Sequence, residues 1–160
     1  MTDLSHVREG RAIMVDVGAK TVTARSATAS GRVRLNSRAL QAVSQGVGPK
    51  GPVTETARLA GIMAAKKTSD IVPLCHPLPL DHVDVKVIPD TEGVYIEATT
   101  RVTARTGVEM EALSAVSVAA LTVVDMTKAL GHDAVITDIR VERKEGGRSG
   151  TYERRTEKER

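Results

Sequence analysis

Apolar and polar positions change period several times along the chain, and each change marks an element. From Lys20 to Asn36, "KTVTARSATASGRVRLN" alternates small or apolar residues with polar ones, most clearly Val33 and Leu35 against Arg32 and Arg34. That alternation predicts a half-buried strand. Ser37 is expected to cap a short helix, "RALQAVSQ", which the glycines and prolines of "GVGPKGP" end. A second helix, "VTETARLAGIMAAKKT", carries an apolar stripe through Val53, Ala57, Ala60 and Ala64. "IVPLCHPLPLD" holds three prolines and predicts irregular, stiff chain. "HVDVKVI" and "VYIEATTRVTAR" then alternate with period two about "PDTEG", which reads as a hairpin. A long apolar helix over 107–130 and a last strand, "DAVITDIRVERK", complete the series. The order β-α-α-β-β-α-β predicts an α+β, ferredoxin-like antiparallel sheet with helices packed on one face.

Nothing divides the 160 residues, so one domain over 1–160 is expected, with polar, partly disordered ends at 1–12 and 151–160. With no Phe, no Trp and two Tyr, the core must be built from Val, Ala, Ile, Leu and Met. A single cysteine excludes an internal disulfide framework and a multi-cysteine zinc site. The early charges of "MTDLSHVREGRAIMV" do not suit a secretory signal. The longest apolar stretch, broken by serines, reads as too short for a bilayer, so a cytoplasmic protein with no membrane partner is expected. A net charge of +3 favours anionic partners only mildly.

The long helix is where the chemistry concentrates. It opens with Glu109 and Glu111 and closes with Asp125 and Lys128. Thr106 and Glu109 have capping-box spacing, and Lys128 precedes Gly131 where a cation suits the dipole. Asp125 opposes that dipole among Val123, Val124 and Met126, an apolar setting where a carboxylate needs a partner. Lys128, at i+3, is within reach. A lysine held beside a carboxylate away from bulk water is a candidate proton carrier; a structural ion pair is the alternative. Glu111 and Asp125 are fourteen residues apart, about 21 Å at 1.5 Å per residue. One small substrate cannot easily reach both ends, so a site using both would draw them from two subunits.

"PLCHP" holds Cys75 and His76 between prolines, a rigid presentation that suits a site, or else a small packed thiol and a turn-stabilising imidazole. The four histidines show no paired ligand spacing, so no metal is expected. "GPKGP" sets Lys50 between glycines, either a phosphate holder or an ordinary surface loop. "GGRSG" repeats the device with Arg148, and Arg25 adds a cation on the first strand. Periodicity cannot say whether the three converge.

In order from residue 14 to 150, "MVDV", "PKG", "ARLAGIMAAKKT", "PLCHPL", "TGVEMEALSAVSVAALTVVDMTKAL" and "GGRSG" resemble the molybdenum-cofactor biosynthesis protein C family, the cyclic pyranopterin monophosphate synthases. The resemblance implies a hexamer of three dimers with sites at subunit interfaces. It implies a substrate cyclised from dihydro-GTP, rearranged with loss of pyrophosphate, and no cofactor. By position, Asp125, Lys128 and Lys50 would be catalytic. Leu74, Cys75, His76, Met110 and Glu111, with Glu109 near, would line the substrate site, and Arg25 and Arg148 would hold phosphates. Magnesium travelling with the triphosphate is compatible with this set. Three departures stand out: Ser69 where the family often has tryptophan, Pro52 where an acid is common, and Arg148 where lysine is frequent. A ferredoxin-like sheet can instead bind RNA, but such sheets stack bases on strand aromatics and Tyr95 is the only one here. A purely structural oligomer with Asp125 and Lys128 as an interface pair is the third reading.

Overall fold

The computed structural model describes residues 7, 8 and 10–155. In chain order the elements are β1 (Val7–Arg8), β2 (Arg11–Ala12), β3 (Thr23–Arg34), α1 (Ser37–Ser44), α2 (Val53–Lys66), α3 (Thr68–Ile71), β4 (His82–Pro89), β5 (Gly93–Ala104), α4 (Glu109–Thr127), β6 (Val135–Glu145) and β7 (Tyr152–Glu153). One turn of 3-10 helix, Lys128–Leu130, continues α4.

β1 pairs with β2, and the other strands form one antiparallel sheet in the order β4-β5-β3-β6-β7. The four principal strands thus lie as second, third, first and fourth, the ferredoxin-like arrangement expected from the element order. Alternation decides the faces. Ala27, Ala29 and Val33 of β3 and Val94, Ile96 and Ala98 of β5 are buried beneath the helices. The opposite face carries cross-strand polar pairs such as Thr28–Thr99 at 2.9 Å and Lys86–Glu97 at 3.0 Å. Tyr95 lies on that face with the Arg32 guanidinium 5.9 Å from its ring centre, which commits the aromatic of the central strands to a cation.

α4 is rich in valine and threonine, which cost a helix up to about 0.7 kcal/mol each relative to alanine. Burying a valine returns about 1.5–3 kcal/mol, and Val116 and Val123 are fully buried. Packing wins. The stretch Glu109–Leu130 is in fact long and apolar enough to cross a membrane, with mean hydropathy 1.5. The expectation of a stretch too short to do so is corrected, because the serines interrupt the apolar run but not the helix. Here its apolar residues cover the sheet instead.

Four local expectations change. Asn36, not Ser37, caps α1, its side chain accepting from the Ala39 amide at 2.8 Å. The α2 stripe runs through Gly61 rather than Ala60, because Gly61 is where the backbone of α4 comes closest. The capping box does not form: Val108 stands at the N-cap of α4 without a side-chain cap, leaving Glu109 for another partner. Within the stretch read as a polar tail, β7 joins the sheet edge beside β6. The expectation for 1–6, 9 and 156–160 lies outside the described residues.

Candidate active site

The proline-stiffened loop after α3 reaches the start of α4 at one end of the sheet. There Leu74, Cys75, His76, Met110 and Glu111 line a cavity of about 730 Å³. Glu111 is 4% exposed. Burial pushes its carboxyl up from the ordinary value, and the neighbouring Glu109 charge adds to this against the pull of its own backbone amide. Burial, and then the Glu111 carboxyl, likewise push the Cys75 thiol up, so Cys75 is a lining group rather than a ready thiolate.

A second cavity of about 600 Å³ adjoins the first and holds Arg25 and Arg148, joined by Arg105. Lys20, Thr106, Gly107, Glu109 and Lys144 line both cavities. The two form one trough, apolar with a buried acid at one end and cationic at the other. Backbone geometry sets the cationic end. Arg25 donates to the Ala104 carbonyl at 3.2 Å and the Arg105 carbonyl at 3.3 Å. Gly146 and Gly147 have φ of 92° and 73°, a region glycine enters freely. A side chain on Gly147 would strike the Arg25 guanidinium. "GGRSG" therefore closes directly onto β3 and brings Arg148 to the same pocket as Arg25. At the neck of the trough, Lys144 pairs with Glu109 at 3.4 Å and donates to the Ser149 hydroxyl at 3.0 Å.

Lys50 is not in this trough. Its glycine turn, closed by reciprocal Gly48–Gly51 amide bonds, sends it to the far end of α4. There Asp125 holds Lys50 and Lys128, each at 2.7 Å. The Asp125–Lys128 contact expected from i,i+3 spacing is present; the apolar setting is not, since the Asp125 side chain is 53% exposed. Lys128 and then Lys50 hold its carboxyl well below the usual range, at about 2. Among the described residues, no group of three His, Cys, Asp or Glu side chains could hold a metal ion.

The structure thus brings together Leu74, Cys75, His76, Glu109, Met110, Glu111, Arg25 and Arg148 at one end, and Lys50, Asp125 and Lys128 at the other. Lys20, Arg105 and Lys144 were not legible as site residues. Lys144 reads as one more polar position of an alternating strand, and only the adjacent loop makes it a neck residue.

Residues 14–147 match the model of the MoaC family. The chain belongs to that family. Similar relatives include the cyclic pyranopterin monophosphate synthase of Roseiflexus sp. (strain RS-1), 56% identical over 155 residues, covering 95% of this chain and 98% of the relative. Another, from Nocardioides sp., is 59% identical over 156 residues, covering 94% and 95% of the two chains. One from Novosphingobium aromaticivorans is 54% identical over 153 residues, covering 95% and 98%. All three carry the same name, and the match covers 95–98% of their own length.

Proposed function

We propose that this chain is a cyclic pyranopterin monophosphate synthase of molybdenum-cofactor biosynthesis. It converts a 3′,8-cyclised 7,8-dihydro-GTP to cyclic pyranopterin monophosphate and releases pyrophosphate. The observation that carries the reading is the two-part trough in a chain whose MoaC relatives bear that name. A purine-derived ring with a triphosphate needs an apolar hollow of a few hundred Å³ joined to a run of cations. Those needs match the cavity at Cys75, His76 and Glu111 and its neighbour at Lys20, Arg25, Arg105, Lys144 and Arg148.

In this reading the ring lies against Leu74, Cys75, His76 and Met110, with the buried Glu111 carboxyl beside it. The cations hold the phosphates and stabilise the charge that builds on departing pyrophosphate. Lys128 carries protons for the ring rearrangement, and Asp125, ionised at any working pH, holds it in place together with Lys50.

The lysine cluster reaches the trough from a second copy of the chain, in a hexamer of three dimers. Two observations support that. Glu111 and Asp125 are separated by about 21 Å of helix, and Lys128, 53% exposed here, lacks the dry surroundings a proton carrier needs. Exposed Leu59 and Met63 on α2 and Leu121 on α4 offer apolar surface for packing another copy. The test is turnover of the cyclised substrate with detection of both products. A folded protein that releases neither cyclic pyranopterin monophosphate nor pyrophosphate ends the proposal. A cytoplasmic location follows from that role, and recovery in the membrane fraction would contradict it.

A further inference from the structure

Aromatic side chains are scarce in this chain: two tyrosines, no Phe and no Trp. Tyr95 is committed to the outer sheet face, where it sits under Arg32 and donates to Glu97 at 3.3 Å. Tyr152 is different. It is 40% exposed, and its exposed side chain lines the ring cavity with Cys75, His76 and Met110.

Its placement is built rather than incidental. After β6 the chain turns back through Gly146, Gly147 and Gly150, all at positive φ. It then pairs as β7, with Tyr152 opposite Lys144 and Glu153 opposite Arg143. Arg154 fastens the returning strand: its amide donates to the Glu142 carbonyl at 2.8 Å and its Nε to the Val141 carbonyl at 2.9 Å. Tyr152 is thereby held next to Lys144, which lines both halves of the trough.

We infer that Tyr152 is a substrate-binding residue, the aromatic wall on which the flat pyrimidinone half of the purine-derived ring system stacks, and that β7 is the strap that holds it there. The inference rests on the proposed GTP-derived substrate. Of the side chains that line the ring cavity, aliphatic, sulfur, imidazole and charged, Tyr152 alone carries a six-membered aromatic ring, so its face is the broadest flat apolar surface there. A planar heterocycle gains most from such a surface, and every base has a face to offer it. With the ring on Tyr152, its phosphates run past Lys144 into the cationic half, an order matching the Tyr152–Lys144 register. The strap therefore measures ring against phosphate.

The test uses the full chain and two probes, a non-hydrolysable GTP analogue and inorganic tripolyphosphate. Tyr152→Leu is expected to weaken the analogue by about 5- to 150-fold, the range of base–aromatic stacking, while tripolyphosphate binds as before. Tyr152→Phe should bind both like the parent, because stacking does not need the hydroxyl. Arg148→Ala should weaken both probes alike. In a Tyr95→Phe background Tyr152 is the sole source of tyrosine emission, and saturating analogue should quench it where tripolyphosphate does not. If the parent prefers the guanine probe and Tyr152→Leu keeps that preference, or emission is unchanged at saturation, Tyr152 is no ring wall. If the parent itself shows no preference for the analogue over tripolyphosphate, the substrate reading fails and this inference with it.

Discussion

Glu111 and Asp125 are carboxyls on one helix that their surroundings drive in opposite directions. Glu111 is buried and pushed upward from 4.5, so its neutral form suits the fold. Its favourable contribution is complete below the unfolded value of 4.5 and is lost as pH rises through its higher folded value. Glu111→Gln keeps the shape without the charge. Thermal melting from pH 4 to 9 should therefore show the variant gaining on the parent as pH rises, while turnover falls; parallel melting curves would contradict a buried neutral acid. Asp125 behaves the other way, with its pKa lowered from 3.8 to about 2. Its contribution is present above pH 3.8 and lost as pH falls through about 2, so it stays ionised wherever the enzyme works. It is exposed, and its loss should barely move the melting point. Asp125→Asn and Lys128→Ala are expected to abolish product formation in proteins that melt like the parent. Normal turnover by folded Lys128→Ala would remove the lysine from the chemistry.

Among the elements, α4 and α2 set the precision of both ends of the site, and their contact depends on small residues. A Cβ on Gly61 of α2 would sit 2.9 Å from the Ala115 carbonyl oxygen and 3.2 Å from Val85. Alanine is better than glycine in a free helix by about 1 kcal/mol, but here it would meet backbone that cannot swing away. Overpacking of this kind costs about 1–3 kcal/mol, so Gly61→Ala should come out neutral to destabilising rather than stabilising. Urea unfolding decides it, and a clear gain in stability would show that the helices can separate freely. Gly31 does the same for α4 on the sheet, where a Cβ would lie 2.7 Å from Val116. A core without aromatic bulk allows these approaches.

For the whole molecule, each candidate catalytic cluster is complete within one chain, yet the two are a helix length apart. Lys50 and Lys128 share Asp125, so variants of those two lysines injure the same half-site and should not rescue each other. Variants across the clusters should. When Lys128→Ala and His76→Ala proteins exchange subunits, some interfaces combine an intact lysine cluster with an intact trough. On the order of a quarter of parental turnover should return if the defects assort at random in a symmetric oligomer. No recovery after verified exchange would mean that one chain forms its own site.

Much of the fold was written in the chain by period alone. Alternation in "HVDVKVI" and "VYIEATTRVTAR" and the long apolar run of α4 follow from which side chains must leave water, a property each stretch carries locally. The i,i+3 pairing of Asp125 with Lys128 was legible for the same reason, as helix geometry alone brings them together. Exposure was not legible: valine and methionine neighbours suggested a buried Asp125, but at 3.6 residues per turn adjacent positions face different ways. Nor were the cap at Asn36, where Ser37 is an equally good capping residue, the Tyr152 strap, which needs a sheet edge to pair with, or the freed Glu109, whose partner Lys144 lies on another element. Arg25 and Arg148 are 123 residues apart, and Arg25 and Lys50 only 25, yet it is the distant pair that shares a cavity. Sheet order decides such convergence, because pairing β3 with β6 carries the last loop onto the first long strand. The chain encodes which surfaces must be buried; only their joint packing determines which charges meet.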